Sequence, residues 1–153
     1  MQARSIDISG TMKIHKEYLT FGRSCLRSAD SKTSLGLLSL KRSIEQVFVQ
    51  KGSAAELPYE EGTFDLVTAI ETVYFWPNLP GCVKGIHRVL KTGGRFAIMV
   101  EVVDADSKWT NFVEGMTAYT PEQLKSILDD AGFTQTEIHC KKPMYATILG
   151  VKP

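Results

Sequence analysis

The chain has 153 residues, 43% of them hydrophobic and 23% charged, which suits one core and leaves too little for two. Eighteen Lys and Arg against seventeen Asp and Glu give a formal net charge of +1, so there is no field to gather nucleic acid or an acidic membrane surface. No run approaches the roughly 20 apolar residues of a bilayer span, residues 1–10 carry no signal-peptide pattern, and Cys25, Cys82 and Cys140 lack the spacing of a zinc site or a disulfide framework.

SIDIS at 5–9 predicts a brief strand, and Met12, His15, Tyr18 and Leu19 predict one side of a helix over 11–21. From 22 to 43 Ser, Lys and Arg dominate, with Leu35, Leu37, Leu38 and Leu40 as a short apolar cluster. EQVFVQ at 45–50 alternates and is closed by Gly52, as a strand would be. FDLVTAI at 64–70 is almost continuously apolar, which predicts a central strand covered on both faces. Val83, Ile86, Val89 and Leu90 then fall at helical spacing over 79–90, and Lys91 follows at the end that favours positive charge. Gly93 and Gly94 predict a turn into RFAIMVEVV at 95–103, the strongest strand pattern in the chain.

Trp109, Phe112, Met116 and Tyr119 are spaced along a candidate helix, either a cover over a bound molecule or a stripe facing the core. Thr120, Pro121, Glu122 and Gln123 have the pattern of an N-cap, a first-turn proline and a capping-box partner. That helix is predicted to reach Ala131 and stop at Gly132. Residues 133–140 and 145–151 predict two strands joined as a hairpin by the Lys-Lys-Pro turn. The sum is an α/β fold: one domain over 1–153, atypical over 1–44, ending in an antiparallel hairpin.

Three runs stand in order: GSAAELPY at 52–59, FDLVTAIETVYFWPN at 64–78 and HRVLKTGGRF at 87–96. Together they resemble class I S-adenosylmethionine-dependent methyltransferases of the small-molecule type, in which a Gly-Asp-Ala turn leads to Leu-Pro-aromatic. The resemblance extends over 45–151. Thr92 replaces the usual proline before the glycine pair, and Ser53 the usual aspartate.

The resemblance implies a Rossmann-like sheet, mostly parallel apart from the C-terminal hairpin, with S-adenosyl-L-methionine lying across the carboxyl ends of the strands. It places Ser53 and Ala54 beside the adenine, where a hydroxyl still accepts a hydrogen bond, though less strongly than a carboxylate. Ile70 and Glu71 would face the methionine part and the methyl group. On that reading Glu71 is the catalytic base, and its alternative is a solvated strand-end carboxylate. Tyr74, Phe75 and Trp76 lie just beyond, as core or as aromatic partners of a sulfonium. Leu57, Pro58 and Tyr59 also suit a plain packed corner, and His87 and Arg88 read as structural.

The acidic-x-Gly-x-Gly-x-Gly loop that opens such enzymes is missing. SIDIS resembles the family's second strand, which makes Asp7 either the ribose ligand or a surface aspartate. A sheet without its central strand would leave two rows of backbone groups unpaired, at about 1–3 kcal/mol for each buried group. Either the N-terminal region, including the 22–43 stretch, fills part of that slot, or the chain is a truncation of a longer gene or a sequence corrupted between Leu19 and Ile44.

Two functions follow. One is methyl transfer to an unidentified small molecule in a cytoplasmic setting, with no metal, nucleic acid or membrane as partner and a homo-oligomer left open. The other is a truncated, inactive methyltransferase-like scaffold or binding module.

Overall fold

FDLVTAI forms the central strand its composition predicts, with hydrogen-bonded neighbours on both sides. The computed structural model describes residues 5–10, 17–22, 48–101, 115–142 and 145–153. Within them the strands are β1 (Ser5–Gly10), β2 (Glu17–Gly22), β3 (Phe48–Lys51), β4 (Phe64–Ile70), β5 (Leu90–Glu101), β6 (Thr134–Lys142) and β7 (Tyr145–Val151), in the order β3-β2-β1-β4-β5-β7-β6. Helices α1 (Leu79–Val89) and α2 (Pro121–Asp130) and a 3-10 turn at Val73–Phe75 complete these elements. None of the described helices is long and apolar enough to cross a membrane.

The order is that of a doubly wound sheet with a hairpin added at one edge. β1, β3, β4, β5 and β6 run one way and β2 and β7 run against them, so the sheet is mostly parallel in direction. Neighbour by neighbour it is more mixed than expected. Only β1–β4 and β4–β5 pair in parallel, because β2 reverses the chain on the N-terminal side as β7 does on the other.

The helix expected over 11–21 is corrected in its second half, where Glu17–Gly22 is a strand bonded to both β1 and β3. Tyr18, Thr20 and Phe21 favour a pleated surface, and a lone helix of that length is marginal in water. Two-sided pairing gives this backbone ladder partners that a short helix could not hold. SIDIS is a strand as expected, but it lies directly beside the central β4, between β2 and β4, and so takes the slot of the missing strand rather than that of a second strand. Of the stretch 22–43, everything after Gly22 lies outside the described residues.

Ile6, Ile8, Val67, Ala69, Phe96, Ile98, Val100, Ala146 and Ile148 are buried at alternate strand positions. They form one core with Leu79, Cys82, Val83, Ile86 and Val89 of α1 and Leu124 and Leu128 of α2. Each Val, Leu, Ile or Phe among them contributes about 1.5–3 kcal/mol relative to exposure. Burial of β4 is uneven, since Val67 and Ala69 are fully enclosed while Leu66 and Ile70 keep partial exposure.

The capping box before α2 forms as the sequence predicts: Gln123 N–H donates to Thr120 Oγ1 at 3.2 Å and Thr120 N–H to Gln123 Oε1 at 2.9 Å. Gly132, just past the helix, has φ +95°. Instead of a separate turn at Gly93–Gly94, β5 begins at Leu90, directly after α1. Its pairing with β4 jumps from Phe64↔Leu90 to Leu66↔Arg95, so residues 91–94 bulge opposite Asp65. Lys91 Nζ spans the bulge to both Asp65 carboxylate oxygens, at 2.9 and 2.8 Å.

Candidate active site at the carboxyl ends of the strands

Strand register brings the predicted site residues to one edge of the sheet. Lys51, Tyr18, Ser9, Ile70, Met99 and Thr147 form a row across six strands. Ser53 follows Lys51 by two residues, and Glu71 follows Ile70 directly. The two predicted walls therefore share the edge where β1, β3, β4 and β5 end, three strand spacings or about 14 Å apart.

Asp7 lies two residues inside that row, in the register Val49–Thr20–Asp7–Thr68. Its main chain is thus in mid-strand, while the β1 tip is Ser9 and Gly10.

The β3 loop is a compact turn. Glu56 N–H donates to the Ser53 carbonyl at 3.1 Å, and Ala55 N–H to Ser53 Oγ at 3.2 Å. Ser53 is exposed, whereas Ala54 and Leu57 join the core. Tyr59 packs edge-on against Phe64 with centroids 5.1 Å apart. Leu57 and Tyr59 therefore do serve as a packed corner. Arg88 fixes it from α1, donating to the Tyr59 carbonyl at 2.6 Å and the Leu57 carbonyl at 3.0 Å.

At the β4 tip, Glu71 adopts φ 54°, a conformation that non-glycine residues rarely hold without support. The support is local. Glu71 N–H extends the ladder to the Met99 carbonyl at 3.0 Å, and Thr72, buried, donates its hydroxyl to the Ile8 carbonyl of β1 at 3.3 Å. The 3-10 turn at Val73–Phe75 follows, and the left-handed φ of Glu71 sets its carboxylate beside Tyr74. Tyr74 Oη lies 3.3 Å from Glu71 Oε2 and 3.1 Å from the Glu101 carbonyl.

Glu71 is exposed as a residue. Even so, enough protein surrounds its carboxyl for desolvation to raise its pKa above the ordinary glutamate range. Hydrogen bonds from the Glu101 backbone and the Tyr74 side chain offset part of the rise. Burial, and next the Glu71 charge, push the Tyr74 phenol upward, so Tyr74 is a neutral donor at physiological pH.

Of the other aromatics, Tyr74 and Trp76 are core residues and Phe75 is exposed. Met116 and Tyr119 lie on irregular chain rather than a helix, partly buried against the core. The stretch is pinned by Thr117 N–H donating to the Tyr74 carbonyl at 2.9 Å. Trp109 and Phe112 lie outside the described residues. Sequence reasoning missed the Arg88 clamp, the Thr72 tie and the Glu71–Tyr74 contact. Only the last had a visible signal, the i, i+3 spacing of an acid and a phenol.

The profile of a family described as methyltransferase domain matches residues 6–98. Sterol 24-C-methyltransferase of Schizosaccharomyces pombe is 43% identical over 70 residues, covering 44% of this chain and 18% of the yeast enzyme. An uncharacterized methyltransferase of Synechocystis is 35% identical over 112 residues, covering 65% of this chain and 52% of that protein. The chain thus spans about half or less of the length of these curated relatives. Among solved structures, an S-adenosylmethionine-dependent methyltransferase of Thermotoga maritima, described as a possible histamine N-methyltransferase, superposes with a TM-score of 0.61 at 19% identity. That match covers 77% of this chain and 69% of the other. Sheet order, the aligned strand tips and the profile over 6–98 agree, and the chain belongs to the class I S-adenosylmethionine-dependent methyltransferase family.

Proposed function

We propose that this chain supports methyl transfer from S-adenosyl-L-methionine to a small-molecule acceptor, with Glu71 receiving the acceptor's proton. The observation that carries the reading is the shared edge: the Ser53 turn and the Ile70–Glu71 tip end on the same side of the sheet. S-adenosylmethionine supplies, when bound, a methyl group on a sulfonium that any well-placed nucleophile can take.

The edge residues fit such a ligand in part. Ser53 is exposed, Ile70 offers half-buried apolar surface, and Glu71, exposed as a residue, brings a carboxylate to the β4 tip. Asp7 fits less well as the ribose ligand, because its backbone sits two residues short of the Ser9–Ile70 row.

Alignment and exclusion of water do most of the work in a displacement of this kind. A base matters when the nucleophile carries a proton: its lone pair makes the new bond to carbon, sulfur keeps the electrons of the broken bond, and the proton passes to the Glu71 carboxylate. A raised pKa makes Glu71 a better acceptor at neutral pH than an ordinary carboxylate. Near-neutral net charge and similarity to an enzyme named for a sterol favour a small acceptor over RNA.

Calorimetric titration with S-adenosylhomocysteine, alongside thermal melts, tests the reading. Binding should release or absorb heat and stabilise the fold by about 2.7 kcal/mol at a hundredfold excess over Kd. Absence of both at millimolar ligand would favour the scaffold. Glu71→Gln should retain this binding while slowing transfer.

A further inference from the structure

The Tyr74 ring is 5% exposed and held at both ends. Its main chain lies in the 3-10 turn and accepts Thr117 N–H at 2.9 Å, while its hydroxyl reaches between the tips of β4 and β5. There it meets two acceptors, Glu71 Oε2 at 3.3 Å and the Glu101 carbonyl at 3.1 Å, with one hydroxyl proton to share. The Glu71 main chain is fixed as well, by Met99 and by its left-handed turn. Side-chain rotation, limited by a hydrogen bond from the Glu101 backbone, is the freedom left to that carboxylate.

We propose that Tyr74 is a positioning residue for Glu71: its hydroxyl donates to the ionised carboxylate, holding it toward the site, and turns to the Glu101 carbonyl when Glu71 takes up a proton. The inference rests on the reading of Glu71 as proton acceptor and adds a consequence for the acceptor class. Such a pair serves substrates that lose a proton, namely amines, hydroxyls or acidic C–H groups, rather than thiolates, which carry none. No bond to the phenolic hydrogen breaks, since the O–H only rotates about the ring C–O bond. Among the described residues the other charge acting on the pair is the Glu101 carboxylate, which opposes ionisation of Glu71.

The test is a carbon-13 NMR titration of the intact chain, following Glu71 Cδ and Tyr74 Cζ, with calorimetry of S-adenosylhomocysteine on the same samples. In the wild type Tyr74 Cζ should move with the Glu71 midpoint, and in Glu71→Gln that movement should vanish. In Tyr74→Phe the Glu71 midpoint should rise by about half a pH unit or more, because a donor to the charged form is gone. A Tyr74 Cζ signal that ignores Glu71, or a midpoint unchanged in Tyr74→Phe, overturns the proposal. Should Tyr74→Phe not fold, the wild-type and Glu71→Gln titrations decide alone. Failure of the calorimetry with an intact Glu71–Tyr74 titration would count against the methyltransferase reading while leaving the pair standing.

Discussion

Arg88 and Tyr59 lie 29 positions apart in the chain, and the guanidinium of one donates to the carbonyl of the other at 2.6 Å. The same side chain reaches the Leu57 carbonyl at 3.0 Å, so one residue of α1 holds the corner that follows Ser53 and Ala54. Arg88→Ala should cost about 0.5–1.5 kcal/mol in urea unfolding, the net range for a typical intramolecular hydrogen bond. Arg88→Lys should recover only part, since a compact ammonium lacks the planar, spaced donors of a guanidinium. A loss under half a kcal/mol would show that the corner holds without the clamp.

His87 provides a pH dependence whose sign follows from its surroundings. Its Nε2 is buried with no hydrogen-bond partner among the described residues, and its ring stacks edge-on against Phe133 with centroids 5.0 Å apart. Desolvation first, and then the Lys152 charge, lower its pKa, while the Gly132 backbone and Glu61 oppose the shift. The folded state therefore favours the neutral ring. This contribution is fully present above the unfolded value, about 6.5, and is lost as pH falls through the window below it. Unfolding free energies measured from about pH 8 down to 5 should decline in that window, and His87→Phe should flatten the decline. An unaltered slope in His87→Phe would assign the effect to other groups.

Gly150 of β7 faces α2 and the start of β6 at close range. A Cβ there would stand 3.0 Å from Leu128 Cδ2, 3.1 Å from Phe133 Cβ and 3.2 Å from Phe133 Cδ1. Gly150→Ala should thus destabilise by about 1–3 kcal/mol through overpacking. At this chain length the melting temperature would fall by about 2–4 °C for each kcal/mol. A melting temperature equal to that of the wild type would mean that α2 can shift away from the sheet without penalty.

The second half of the fold was readable because its signals are local. FDLVTAI, the Thr120 capping box, the stop at Gly132 and the final hairpin each follow from neighbouring residues with one strong preference. β2 was not readable, because Tyr18, Leu19, Thr20 and Phe21 suit a helix side or a strand nearly equally, and only pairing with β1 and β3 decides between them. The bulge at 91–94 is likewise set by a partner, Asp65, far away in sequence. Of the site, the β4 tip and the β3 turn could be named in advance through family resemblance. That they share an edge is a property of register, which a single chain of letters does not carry. The Glu71–Tyr74 contact needed the positive φ at Glu71, a conformation that no propensity would assign to glutamate.

The seating of β1 between β2 and β4 bears on how the protein is made. β2 follows β1 after only a few residues, so one side of SIDIS can find its partner almost as soon as both are translated. The other side must wait for β4, more than fifty residues later, which at ribosomal speeds of about 5–20 residues per second is roughly 3–10 s. Through that interval Ile6 and Ile8 belong to a nascent hairpin with an open flank, the sort of surface that invites pairing with a stranger. Slower growth temperature or a holdase chaperone during expression would shelter that flank until its rightful neighbour emerges.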